Sequence, residues 1–129
     1  VSGLVTDGLR PDLLRGELHE LAIAGLPLNK HSNAYAASIS VLSGPGLLYG
    51  FAVYNSNAAT QFIQLHDSEV LPAEGAVPVM FWPVATVSTL SIGYLPGRSF
   101  QRGVVLCNSS TGPTKTIGSA DCFFDAQYV

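Results

Sequence analysis

Along most of this chain apolar and polar positions alternate in short runs broken by Gly, Pro, Asn and Ser, the period of half-buried β-strands. The most regular stretch runs from Gly46 to Ile92. Within it, Leu47–Tyr54 places Tyr49, Phe51 and Val53 on one face of a strand, because successive side chains point to opposite sides. Asn55–Thr60 (NSNAAT) suits a tight polar connection. Gln61–His66 then alternates again, with Ile63 and Leu65 on one side and Gln64 and His66 on the other. The pattern predicts that these two strands pair as a hairpin, whose apolar face must be buried by a second layer.

The flanking segments supply that layer. Asn33–Leu42 reads as a strand with Tyr35, Ala37, Ile39 and Val41 on one face, closed by the turn Ser43–Gly46 (SGPG). Asp67–Pro78 is a loop with three acids, followed by short strands at Val79–Trp82 and Val87–Tyr94. After the LPGRS turn (Leu95–Ser99), Gly103–Asn108 is a strand, Ser109–Ala120 a polar loop with a small strand expected at Thr114–Ile117, and Asp121–Tyr128 the closing strand. Short strands with turns at this spacing predict an all-β domain, residues 31–129. The expected architecture is an antiparallel β-sandwich of jelly-roll or Greek-key type.

Residues 1–30 follow a different pattern. They hold Asp7, Arg10, Asp12, Arg15, Glu17, Glu20 and Lys30, nearly half of a charged set of six basic and nine acidic residues. A short helix is expected after Pro11-Asp12, weakened by Gly16, and Gly25, Pro27 and Asn29 end regular structure. The segment reads as an extended N-terminal arm. Its apolar residues, Leu4, Val5, Leu9, Leu13, Leu14, Leu18, Leu21, Leu26 and Leu28 among them, are too many for a free disordered tail. They are expected to dock on the domain or on a neighbouring subunit, which points to a homo-oligomer.

Composition narrows the function classes. The chain of 129 residues fits one domain with a real core. Charged residues make up 12%, about half the usual share of roughly 25%. Either a partner covers part of the surface, since charge is depleted at interface cores, or the surface is rich in uncharged polar groups. Uncharged runs such as Val77–Val87 are cut by Pro78 and Pro83 and are too short to span a bilayer. The basic residues form no patch, so nucleic acid is not an expected partner. No basic-then-apolar leader opens the sequence, so no export signal is expected. Cys107 and Cys122 read as two core thiols, with a disulfide the less favoured alternative; no Cys/His spacing suggests zinc.

Candidate chemistry is sparse. His66 and Asp67 are adjacent on a strand, where neighbouring side chains diverge, so they make no dyad by themselves. His19, His31 and His66 lack the spacing of a metal site. Asp67, Glu69 and Glu74 share a loop but match no EF-hand, and Gly44–Gly50 has the glycines of a phosphate loop without its lysine or helix. The chain therefore reads as a non-enzyme with no cofactor. Among the aromatics, which at strand spacing belong mostly to the core, Trp82 and Tyr94 are the candidates for exposed, ligand-stacking rings.

Four segments together resemble a group of small virion structural proteins of tailed bacteriophages. They are G-x-L-x-x-x-x-V-x-N at Gly46–Asn55, Q-L-x-D at Gln64–Asp67, P-x-x-G-x-x-P-V at Pro72–Val79, and G-R-x-F-x-x-G-x-x-x-x-x-S-S-T at Gly97–Thr111. The shared positions are turn and strand residues, and the arm Val1–Lys30 lies outside them. The resemblance implies a β-module on the outer capsid surface, assembled in the host cytoplasm. Its implied role is a capsid decoration (cement) protein, commonly trimeric, that bridges and stabilises major capsid protein subunits. Two alternatives share the module. One is a tail, baseplate or fibre component displaying loops Asp67–Pro78 or Ser109–Ala120 to a host receptor, and the other is a glycan-binding sandwich using Trp82 or Tyr94.

Overall fold

A computed structural model describes residues 26–129. Eight strands occupy this range: β1 (Leu28–His31), β2 (Ser38–Leu42), β3 (Gly46–Asn55), β4 (Gln61–Asp67), β5 (Met80–Val84), β6 (Ser88–Phe100), β7 (Val104–Ser109) and β8 (Cys122–Tyr128). They form two antiparallel four-stranded sheets, ordered β1-β8-β3-β6 and β2-β7-β4-β5. This is the strand order of an eight-stranded jelly roll. Of the sequence-consecutive pairs, β4 and β5 alone lie side by side in one sheet. No helix long and apolar enough to cross a membrane occurs among the described residues.

The expected β3–β4 hairpin is therefore corrected. The two strands lie in opposite sheets, and residues 56–60 carry the chain across the sandwich. Asn55 holds this crossover. Fully buried, it donates through Nδ2 to the carbonyls of Val84 (3.0 Å) and Ala85 (3.2 Å) and to that of Ala59 (3.2 Å), while its Oδ1 accepts from Asn57 N–H (2.9 Å). The polar connection is a bridge between sheets rather than a two-strand turn.

Leu48, Phe51, Val53, Phe124 and Ala126 from the first sheet meet Ile39, Val41, Ile63, Leu65, Val104 and Leu106 from the second in the core. A bulge corrects the face assigned to β3. Leu48 and Gly50 pair with the consecutive residues Tyr128 and Gln127, leaving Tyr49 as the extra residue. One inserted residue flips side-chain parity, so Leu48 joins Phe51 and Val53 in the core and Tyr49 is only partly buried. The first expected strand also shortens: β2 begins at Ser38, and Ala36 makes an isolated bridge to Cys122. At the other end, β1 starts at Leu28 and pairs along β8 from Leu28↔Tyr128 to His31↔Asp125. The stretch read as an arm thus runs into the sheet by three residues.

Candidate functional site

The two outer faces of the sandwich differ in chemistry. On the β2-β7-β4-β5 sheet, Gln64 and His66 point away from the core, as the alternation requires, yet both are buried. The loops around residues 68–79 and 110–120 lie over them. The Gln64 amide donates to three loop carbonyls, Thr111 (3.0 Å), Gly112 (2.8 Å) and Thr114 (2.9 Å). This orientation leaves Gln64 Oε1 as an acceptor, 3.1 Å from His66 Nε2, so the imidazole carries its proton on Nε2. Burial, aided by the nearby Lys115 charge, pushes the His66 pKa from 6.5 down to about 4.

Lys115 is itself buried and donates to the Pro72 carbonyl at 2.5 Å, tying one loop to the other. Backbone bonds between Lys115 and residues 75 and 76, and both Glu74 carboxylate oxygens accepting from Ile117 N–H, complete the seam. Sequence pattern alone marks Gln64, His66 and Lys115 as surface residues, because a loop folding back over a strand leaves no periodic signal. The receptor-display loops expected at Asp67–Pro78 and Ser109–Ala120 are in this way fastened to the sheet and to each other.

Asp67 closes the end of β4. Its carboxylate accepts from the backbone N–H of Arg102 (2.8 Å), Gly103 (3.2 Å) and Gln101 (3.3 Å). Desolvation works to raise its pKa, but these three bonds and the Arg102 charge prevail and hold the carboxyl below its ordinary value. Asp67, Glu69 and Glu74 do not converge: among the described residues no three His, Cys, Asp or Glu side chains form a metal-binding group. Cys107 and Cys122 are both free and buried, on strands of different sheets. Burial raises their pKa values to about 11 and about 12, against a small lowering at Cys107 from Lys115 and with a further rise at Cys122 from Asp121. Both thiols stay protonated and unreactive at neutral pH.

Among the described residues no loop covers the outer side of the β1-β8-β3-β6 sheet. Asn29, His31, Thr89, Ser91, Gly93 and Phe123 on its outer side are all exposed. Gly50, Ala52, Ser91 and Gly93, which pair across β3 and the edge strand β6, carry short or no side chains. At one end a groove of about 340 Å³, with an almost wholly apolar wall, lies among His31, Ala52, Tyr54, Thr89, Phe123 and Asp125. Phe123 carries Tyr35 on its ring at a centroid distance of 4.3 Å, an exposed aromatic pair. The signal for Phe123 lies in the closing strand, where Cys122, Phe124 and Ala126 face in and Phe123, Asp125 and Gln127 face out.

The residues expected to bind partners are placed as follows. Trp82 is partly buried, packed on the core with its ring edge-on to Phe51 at 5.3 Å. Tyr94 also packs on the core, with the Arg98 guanidinium 5.7 Å from its centroid. Neither ring lies on the open face. Leu26 and Leu28 are exposed at the start of the sheet. Leu4, Val5, Leu9, Leu13, Leu14, Leu18 and Leu21 lie outside the described residues. Comparison with known protein families, curated proteins and solved structures finds no match.

Proposed function

We propose that this chain is a non-enzymatic structural protein of a tailed-phage virion, a decoration protein that bridges and stabilises capsid subunits on the outer surface. The observation that carries the reading is the contrast between the two outer faces. One sheet is sealed by the chain's own loops. No described loop covers the other, which carries the short residues Gly50, Ala52, Ser91 and Gly93 where β3 meets β6 and the exposed Tyr35–Phe123 pair at one end. Such a face suits contact with another protein surface, because small residues let backbones approach and few charges must lose water. Many copies of one modest contact, repeated over a particle, hold strongly together. The jelly roll is a frequent architecture of capsid proteins, a fold-level analogy that agrees with the reading without establishing it.

The test is location. Antibody raised to the full chain, gold-labelled, is applied to virions grown from the genome that encodes it. Label spread over the head is the expected result. Label confined to the tail would transfer the protein to the tail, and unlabelled virions whose proteins include no trace of the chain would overturn the proposal.

A further inference from the structure

The edge strands of the sandwich are β1 and β6 in one sheet and β2 and β5 in the other. An edge presents a row of unpaired N–H and C=O groups that another strand can join, and proteins blunt it with brevity, charge, proline or a bulge. Three of these edges are blunted. β1 has four residues, includes Lys30 and follows Pro27. β2 has five, with a register shift between Ser40 and Leu42. β5 has five and contains Pro83, which has no N–H to give. β6 differs. It runs for 13 residues, and from Ser88 to Tyr94 (STLSIGY) it holds no proline and no charge. Its pairing with β3 is regular from Ser88 to Gly93, ahead of the irregularity that precedes Arg98. Among the described residues no strand pairs with its other side.

Side chains along this edge are sorted by face. Thr89, Ser91 and Gly93 are exposed on the outer face, while Leu90, Ile92 and Tyr94 lie against the core and are only partly buried, because the sandwich ends beside them. We propose that β6 pairs antiparallel with β6 of a second copy of this chain, about a twofold axis that passes through Ser91 perpendicular to the sheet. An axis through a residue keeps side-chain parity, so outer positions meet outer and inner meet inner. Leu90 of each copy then faces Ile92 of the other, Thr89 faces Gly93, and Ser91 faces its own counterpart. In this register the two Ser88–Tyr94 runs overlap over their full length, and Pro96 falls beyond them. A twofold sets a strand against itself, which would oppose like charges on a charged edge; this run brings none together. The free backbone takes an extended strand with a free edge of its own, and β6 is the one unblunted edge among the described residues. The two sheets join into one of eight strands whose outer faces point the same way. Presenting both uncovered faces to one capsid surface is a use that rests on the decoration reading; the pairing does not.

The experiment is sedimentation equilibrium on the full chain, with Ser91→Lys and Ser91→Glu made separately and then mixed. Ser91 is exposed, so neither substitution enters the core. The parent should be a dimer. Each variant alone sets like charges directly opposite one another at the axis and should dimerise more weakly by about tenfold. The equimolar mixture sets Lys against Glu at the same place and should dimerise at least as tightly as the parent. Recovery on mixing also shows that both variants fold.

A parent that stays monomeric up to about 1 mM would overturn the proposal, and residues 1–25 lying along β6 of their own chain would give that result. So would variants that associate like the parent, which would move the contact to another surface. Variants weakened equally whether alone or mixed would overturn it as well. Failure of the decoration reading is seen separately: unlabelled virions alongside a dimer that obeys the charge test would remove the capsid and leave the pairing standing.

Discussion

Lowering the pH should loosen the loop-covered face through His66. In the folded protein burial holds this imidazole neutral, with a pKa of about 4 against 6.5 when unfolded. Below 6.5 the unfolded chain binds a proton that the folded chain refuses. The stabilisation is therefore complete above about pH 6.5 and is lost as pH falls towards 4. At 1.36 kcal/mol per pH unit the full effect is about 3 kcal/mol, and a discount for solvent screening brings it to ~2 kcal/mol. That is a large share of a total stability of about 5–15 kcal/mol. The charged groups against the ring act in the same direction, since protonation sets a cation facing Lys115. The assay is urea unfolding from pH 4 to 7.5, for the parent and for His66→Gln, whose amide can still donate to Gln64. With a urea slope near 1.5 kcal/mol per M, the parent midpoint should fall by about 1.5 M. The variant profile should be nearly flat by comparison, because every other group titrates alike in both proteins. Parallel profiles would refute the reasoning, for they would mean that the ring is solvated and the loops do not seal it.

Gln64→Leu should destabilise by about 2–4 kcal/mol, since three loop carbonyls and the His66 N–H lose their partner; hydrogen exchange should speed up first in residues 110–117. Asp67→Ala should cost about 1 kcal/mol after allowance for solvent screening and should flatten the loss of stability below the ordinary carboxyl value of 3.8, where the native carboxylate takes up its proton; acid unfolding curves report both. Val87 is exposed and held at φ 50°, a left-handed conformation costly for a β-branched side chain. Val87→Asn should therefore raise stability by about 1 kcal/mol, readable as a higher urea midpoint.

How much of this was legible in the sequence depends on the range of each interaction. Strand identity came from local alternation, so β4, β7 and β8 fall close to their expected places. Strand partners did not, because a jelly roll pairs β3 with β6 and β8 across long separations, and the chain between β3 and β4 is as polar as a hairpin turn. The Tyr49 bulge was invisible for a related reason. It shows in the register of β3 against both β6 and β8, and no single strand carries that information. The candidate site was less legible still. Trp82 reads in the sequence as a ring that points away from the core, yet in register it sits opposite the buried Ile63 and packs on the core. Phe123 was readable by parity within its own strand.

The low charge of the chain had two explanations, a partner-covered surface or a quiet polar one, and the placement of the charges bears on the choice. Lys115 is buried, Asp67 and Glu74 are occupied by backbone N–H groups, and Glu69 and Arg102 stand at loop ends. The strands of the uncovered sheet keep Lys30, Arg98 and Asp125, and the short residues Gly50, Ala52, Ser91 and Gly93 lie together where β3 meets β6. Those side chains are too short to capture a loop as Gln64 does on the opposite sheet. The same shortness lets a second backbone come close without displacing long, hydrated groups. The placement of charge therefore does not by itself select the partner: a quiet polar surface spreads Ser, Thr, Asn and Gln over both faces, and Asn29, Thr89, Ser91 and Gln127 lie on the uncovered one as Gln64 lies under the loops.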